Sequence, residues 1–187
     1  MTKLDLDQQT LLKLKDLTGT DHYSFLGFTL HTQTGAIDDT LARGRTLNDY
    51  TIMILTTLLT HYAKSTPKPA SGNLIKYKDL PGGCAYAEAL NRTAIQPIAE
   101  VFGNNPQDLA VAAQQIGGKP QNFGDCSVQI EALKGIPLTY TVWGSEEYPA
   151  SANILYDETA SSYLHTEDLA VLAELATCRL IQAKLES

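Results

Sequence analysis

The chain has 187 residues, 43% of them hydrophobic and 19% charged, enough to bury one apolar core and too apolar for a disordered segment. Its 14 Lys and Arg stand against 21 Asp and Glu, a formal net charge of -7 with no basic run to offset it, so neither nucleic acid nor an anionic membrane is an expected partner. The start, Met1 to Asp7, alternates charge with leucine, and the most apolar stretch, Ile52 to Leu59, is broken by Thr56 and Thr57; a secretory leader and a membrane span are both unexpected.

Asp7 is placed to cap a helix over residues 7–17, with Leu11, Leu14 and Leu17 on one face and Gly19 at its end. We read residues 1–20 as an N-terminal helical appendage to one domain spanning 1–187. Tyr23 to Leu30 has strand composition, and Gln33-Thr34-Gly35 turns the chain into a second short strand near Ile37. Leu47 to Ala63 is the strongest helical pattern. Tyr50, Ile54, Leu58 and His61 fall on one side and Ile52, Leu55, Leu59 and Tyr62 on the other, which predicts a helix buried between layers.

Thr66 to Gly72 reads as a loop. Pro81-Gly82-Gly83 opens a helix from Cys84, with Tyr86, Leu90, Ala94, Ile98 and Phe102 four residues apart, and Pro97 is expected to break or kink it. A third helix runs from Asn105-Pro106 to Gly117-Gly118. Alternation over residues 125–143, with Lys134-Gly135 at the turn, predicts a hairpin, and Asn153 to Tyr156 a further strand. Thr166 is placed to cap a long last helix with Leu169, Leu172, Ala176, Leu180 and Ala183 as its core stripe. Strands and helices do not alternate regularly. The expected class is therefore α+β, an antiparallel sheet packed against several helices.

Three cysteines, Cys84, Cys126 and Cys178, lie far apart and form no C-x-x-C pair, which points to reduced thiols in a cytoplasm rather than to a zinc ribbon. Cys84, at the start of a helix, is the best-placed nucleophile if the dipole acts on its thiol. Glu146 and Glu147 after the hairpin are either a site for a cation or for acid–base chemistry, or a polar turn. Arg179, beside the core stripe, needs a partner, and Glu147 or Asp157 would serve. His61 is either an axial ligand to a haem iron or corrinoid cobalt, or a core histidine bonded to a carbonyl. His22, His31 and His165 show no paired metal-ligand spacing.

His61-Tyr62, Gly72 to Gly83, Trp143-Gly144-Ser145-Glu146-Glu147-Tyr148-Pro149, Ile154 to Asp157 and Tyr163 to Asp168 follow one another in an order that resembles a known family, DUF3786, over roughly residues 20–185. That family is found in bacteria and archaea, many of them anaerobes, and has no settled activity. Ser145 stands where the family usually has Asp and the segment is one residue short, so Glu147, followed by Tyr148, is the position carried over. Some relatives look like fusions to an iron–sulfur domain of the kind found in corrinoid proteins. The resemblance thus implies a link to anaerobic cofactor chemistry, although this chain lacks the cysteines for such a cluster.

Three functional readings follow. The first is a non-enzymatic binding module, holding a tetrapyrrole (haem or corrinoid) or a partner protein, with a pocket of Tyr50, His61, Cys84, Tyr86, Trp143, Glu147 and Tyr148. The second is a small enzyme using Glu146 and Glu147 with Cys84 or His61. The third is an interaction subunit with Trp143 and Tyr148 as its hot spot. Whether a metal is bound, and the oligomeric state, are left open by these residues.

Overall fold

The computed structural model describes residues 2–42, 45–145 and 148–186. Two antiparallel sheets and one long carboxy-terminal helix organise them. The first sheet has the order β1-β4-β3-β2, with β1 Thr2–Lys3, β2 His22–Phe25, β3 Phe28–His31 and β4 Ala36–Asp39. Helix α1, Gln8–Thr18, follows β1 and is capped as expected: Asp7 accepts from the Thr10 amide at 2.7 Å and Gly19 closes the helix at φ 73°. Leu4 and Leu14 from this first stretch are buried in the common core.

The continuous strand expected over Tyr23 to Leu30 is instead a hairpin. Leu26 (φ 48°) and Gly27 (φ 74°) form a two-residue turn between β2 and β3. Leucine rarely adopts positive φ, so composition hid the turn. Gly27 is required there, because a Cβ would stand 3.0 Å from the Arg179 guanidinium and 3.1 Å from Ile116.

The second sheet has the order β5-β9-β8-β7-β6: β5 Leu74–Lys76, β6 Lys119–Gln121, β7 Cys126–Leu133, β8 Ile136–Trp143 and β9 Ser151–Asp157. The predicted hairpin is β7–β8, with Val128, Ile130 and Ala132 buried as the alternation requires. Pro137 faces Glu131 at the start of β8, and the ladder to β9 begins only at Leu138, so the missing proline N–H costs no β8–β9 bond. The short strands β1, β5 and β6 carry too few residues to show a pattern in sequence.

Helix α2, Asp49–Tyr62, is not buried between layers. Leu55, Leu58, Leu59 and Tyr62 face inward, whereas Tyr50 is 66% exposed and His61 is exposed. α2 leans on α1 and on the last helix, which cover Leu58 and half-bury Ile54 but leave Tyr50 and His61 of the same face in water. The segment around Pro97 is not broken but stays helical through a π turn. A 3-10 turn, Gly83–Ala85, leads to α3, Ala87–Leu90, a π turn over Asn91–Ile95, and α4, Gln96–Phe102. Pro97 thereby falls in the first turn of α4, where its missing N–H is harmless. α5, Gln107–Gln115, follows.

In the last helix, α6, Thr166–Leu185, His165 occupies the N-cap position without a side-chain capping bond, and the expected cap, Thr166, instead donates its hydroxyl to the Pro81 carbonyl at 2.6 Å. All five residues of the expected core stripe are buried. Two fully buried tyrosines tie α6 to the sheet: Tyr156 donates to the Leu169 carbonyl at 3.2 Å and Tyr140 to the Ala173 carbonyl at 3.0 Å. Those contacts hold the first two turns of α6 beside the end of α2.

Candidate functional site

Tyr62, the last residue of α2, is buried and donates to the Lys134 carbonyl at 2.7 Å, while its ring stacks on Tyr163 at 6.1 Å. Tyr163 in turn donates to the Lys68 carbonyl at 2.7 Å. This anchoring turns the preceding residue, His61, outward. Its Nδ1 meets both oxygens of Asp168 in the first turn of α6, at 2.9 and 3.1 Å. The His61 side chain is 43% exposed and that of Asp168 14%. A carboxylate on Nδ1 selects the tautomer that carries its proton there, which leaves Nε2 with an outward lone pair. Nε2 makes no hydrogen bond among the described residues.

A cleft of about 340 Å³ opens at this point, lined by His61, Lys64, Ser161, Tyr163, Leu164 and His165. Its walls come from the end of α2 and from the 3-10 turn Glu158–Ser162 that leads into α6. Lys64 and two imidazoles give it a basic lining in a chain of net charge -7. Asp168 is spent on His61. The arrangement can coordinate a metal centre through Nε2, accept a proton there, or hold an anionic group.

The other expected pocket residues lie elsewhere. Tyr50 starts α2, eleven residues before His61 and so about 16 Å away along the helix. Tyr86 donates to Glu174 at 3.3 Å, and the Glu174 charge, ahead of burial, raises its hydroxyl above the ordinary tyrosine value. Cys84 is exposed and donates to the Lys78 carbonyl at 3.3 Å. It sits in a single 3-10 turn, so the α-helical dipole on which thiol activation depended is absent. Trp143, 41% exposed, ends β8, and Tyr148 is 79% exposed. The eight residues of β8 span roughly 25 Å and separate Trp143 from the Lys134–Gly135 turn, where Tyr62 is anchored. Glu146 and Glu147 lie outside the described residues.

Arg179 pairs with Asp39 rather than with the expected Asp157, and the other expected partner, Glu147, lies outside the described residues. Its guanidinium grips Asp39 at 2.6 and 2.8 Å, donates to the carbonyls of Leu26 (2.9 Å) and Gly27 (3.2 Å) and to Gln182 (2.8 Å), and lies 4.0 Å over the Phe28 ring. Both side chains are 5% exposed. Asp157 serves a different purpose. Burial alone would push its carboxyl up, but hydrogen bonds from Thr159 (hydroxyl and amide) and from the amides of Ser71 and Gly72 outweigh it and hold the group at about 2. It pins the loop after α2 to the end of β9.

Sequence reasoning named His61 but missed Asp168, Lys64, Ser161 and His165. A signal existed: His61-Tyr62 and Tyr163 to Asp168 were two of the ordered motifs, and they prove to meet in space. Among the described residues no group of three or more His, Cys, Asp or Glu side chains is arranged to hold a metal ion, and no helix is long and apolar enough to cross a membrane.

Comparison with known proteins gives one match. The family profile described as a domain of unknown function, DUF3786, covers residues 14–179. No curated protein and no solved structure matches the chain.

Proposed function

We propose that this chain, which belongs to the DUF3786 family, is a non-enzymatic binding module whose ligand seat is the cleft between α2 and α6. His61 makes the bond to the ligand through Nε2, and the ligand is a metal-centred tetrapyrrole, haem or corrinoid. One observation carries the reading: the His61 ring is clamped at Nδ1 by Asp168 at 2.9 Å, its Nε2 makes no hydrogen bond among the described residues, and the residue lines a cleft shared with Lys64 and His165. Orientation of an imidazole by an outer carboxylate is how proteins prepare a histidine to ligate a metal.

A cleft of about 340 Å³ lies at the lower end of small-molecule sites, and His61, Lys64 and His165 on its lining would hold the group. Lys64 and His165 suit the carboxylate side chains that such rings carry. When bound, the group supplies a redox-active or ligand-exchanging metal; the chain binds and orients it. A cytoplasmic setting belongs to the same proposal and is supported by the three free cysteines.

A second reading draws on the far end of the hairpin. Trp143 and Tyr148 are exposed there, with Phe123 at 48%, and aromatic residues of this kind anchor protein interfaces. Titration with haemin and with aquocobinamide, followed by absorption under anaerobic conditions, separates the two. The cofactor reading predicts a saturable band shift with one ligand per chain, abolished by His61→Ala and weakened by Asp168→Asn. An unshifted spectrum, or one indifferent to His61→Ala, overturns it and transfers weight to the aromatic surface.

A further inference from the structure

The first sheet carries a second pair of histidines that the cleft does not use. Side chains alternate across a strand, so His22 on β2, His31 on β3 and Asp38 on β4 share the outer face, opposite the buried Tyr23, Leu30 and Ile37. His22 and His31 are direct cross-strand partners, and their rings meet edge to face with centroids 4.7 Å apart. Asp38 contacts His31 Nε2 at 2.9 Å. That contact places the ring proton on Nε2 and leaves Nδ1 as the nitrogen with a lone pair. At the other end of the pair stands Asp21. Hydrogen bonds from Lys15 and Gln33 chiefly hold its carboxyl below the usual range, with a smaller contribution from His22.

We propose that His22 and His31 form a two-imidazole seat for a divalent transition-metal ion that favours nitrogen ligands, of the Zn2+ or Ni2+ class, with Asp38 orienting the His31 ring and water completing the coordination. Two nitrogens each about 2 Å from one ion stand roughly 3 Å apart; the ring centroids, 4.7 Å apart, are close enough for this once the His22 ring turns from its edge-to-face position to bring a nitrogen toward His31 Nδ1. The hairpin turn at Leu26–Gly27 fixes the register that brings the two rings together. The Asp38–His31 contact is the outer carboxylate that sharpens a metal-binding imidazole. With two protein nitrogens the seat is open, so an ion held there keeps positions for water or an exogenous ligand. The proposal is independent of the His61 cleft.

The test uses the full chain without an affinity tag. Calorimetric titration with ZnCl2 is expected to give one ion per chain, with affinity falling more than about tenfold in His22→Gln and in His31→Gln and about tenfold in Asp38→Asn. Cys84→Ser leaves it unchanged. In the unsubstituted chain, substoichiometric Ni2+ is expected to broaden the amide signals of Ser24 and Thr29 before those of Lys64 and His165. Zinc affinity that survives loss of both histidines, affinity that vanishes with His61 or Cys84, or broadening that begins at Lys64 overturns the assignment.

Discussion

Two carboxylate pairs hang from opposite ends of α6, and they have opposite characters. Near its carboxy terminus Arg179 meets Asp39, with both side chains 5% exposed and the guanidinium surrounded by three further acceptors and the Phe28 ring. Near its amino terminus Asp168 meets His61, which is 43% exposed and keeps one ring nitrogen facing a cleft. The first pair has its hydrogen-bonding capacity satisfied by protein and has nothing left to offer a ligand. The second uses one nitrogen for positioning and leaves the other for chemistry. A carboxylate pair is thus scaffolding when every polar atom is satisfied, and a candidate site when one is left over.

That contrast can be broken most forcefully at Arg179. Removing one member of a buried pair strands the other, so Arg179→Ala and Asp39→Ala are each expected to cost about 3–5 kcal/mol in urea unfolding, and the double variant much less than their sum. Strict additivity would mean that the pair is not the unit described. Cofactor binding at the cleft is expected to persist in whatever fraction remains folded.

Asp157 supplies an intermediate case, being buried but serving a loop. Asp157→Asn replaces an acceptor-only carboxylate with an amide that can accept at one oxygen only, and is expected to cost about 2 kcal/mol. The pH dependence has a definite sign. The carboxyl lies at about 2 in the fold against an ordinary value of 3.8, so its stabilisation is complete above about pH 4 and is lost as pH falls towards 2. A shift of that size corresponds to about 2 kcal/mol. Unfolding midpoints measured from pH 7 to 2 are expected to fall less in Asp157→Asn than in the unsubstituted chain; parallel curves would contradict this.

A smaller effect is expected at Tyr140. Its hydroxyl donates to the Ala173 carbonyl beside Thr177, so Tyr140→Phe is expected to cost about 1 kcal/mol in the same assay. The smallest belongs to His61. An exposed pair contributes little, and His61→Ala is expected to change stability by less than about 1 kcal/mol while abolishing the absorption response to haemin or aquocobinamide. A large loss of stability would move His61 into the class of Arg179.

Much of the framework was legible because it rests on local rules. Asp7 and Gly19 announced both ends of α1, and the alternation around Lys134-Gly135 announced β7–β8. The β2–β3 turn was not, since Leu26 adopts a backbone shape that its side chain disfavours. α2 misled for a physical reason: apolar residues on both faces report composition, whereas burial depends on which neighbours arrive. The candidate site was half legible. His61 is named from the sequence on the face of a helix expected to be buried, and Asp168 enters only as the end of the Tyr163 to Asp168 motif. The two are 107 residues apart, and no spacing rule spans that distance. Of the pocket expected from His61, Tyr50, Cys84, Tyr86, Trp143, Glu147 and Tyr148, α2 sets Tyr50 about 16 Å from His61 along the helix and β8 runs between Trp143 and the Lys134–Gly135 turn, while Glu147 lies outside the described residues.

The central claim is that His61 presents an unengaged Nε2 while Asp168 holds its Nδ1. Nitrogen-15 NMR of the imidazole rings tests it directly, first alone and then during titration with diamagnetic aquocobinamide. The account predicts that His61 carries its proton on Nδ1, and that its Nε2 resonance moves on saturation while its Nδ1–H signal persists. A proton on Nε2 in the free chain, or an Nε2 resonance unmoved by the cofactor, would contradict it.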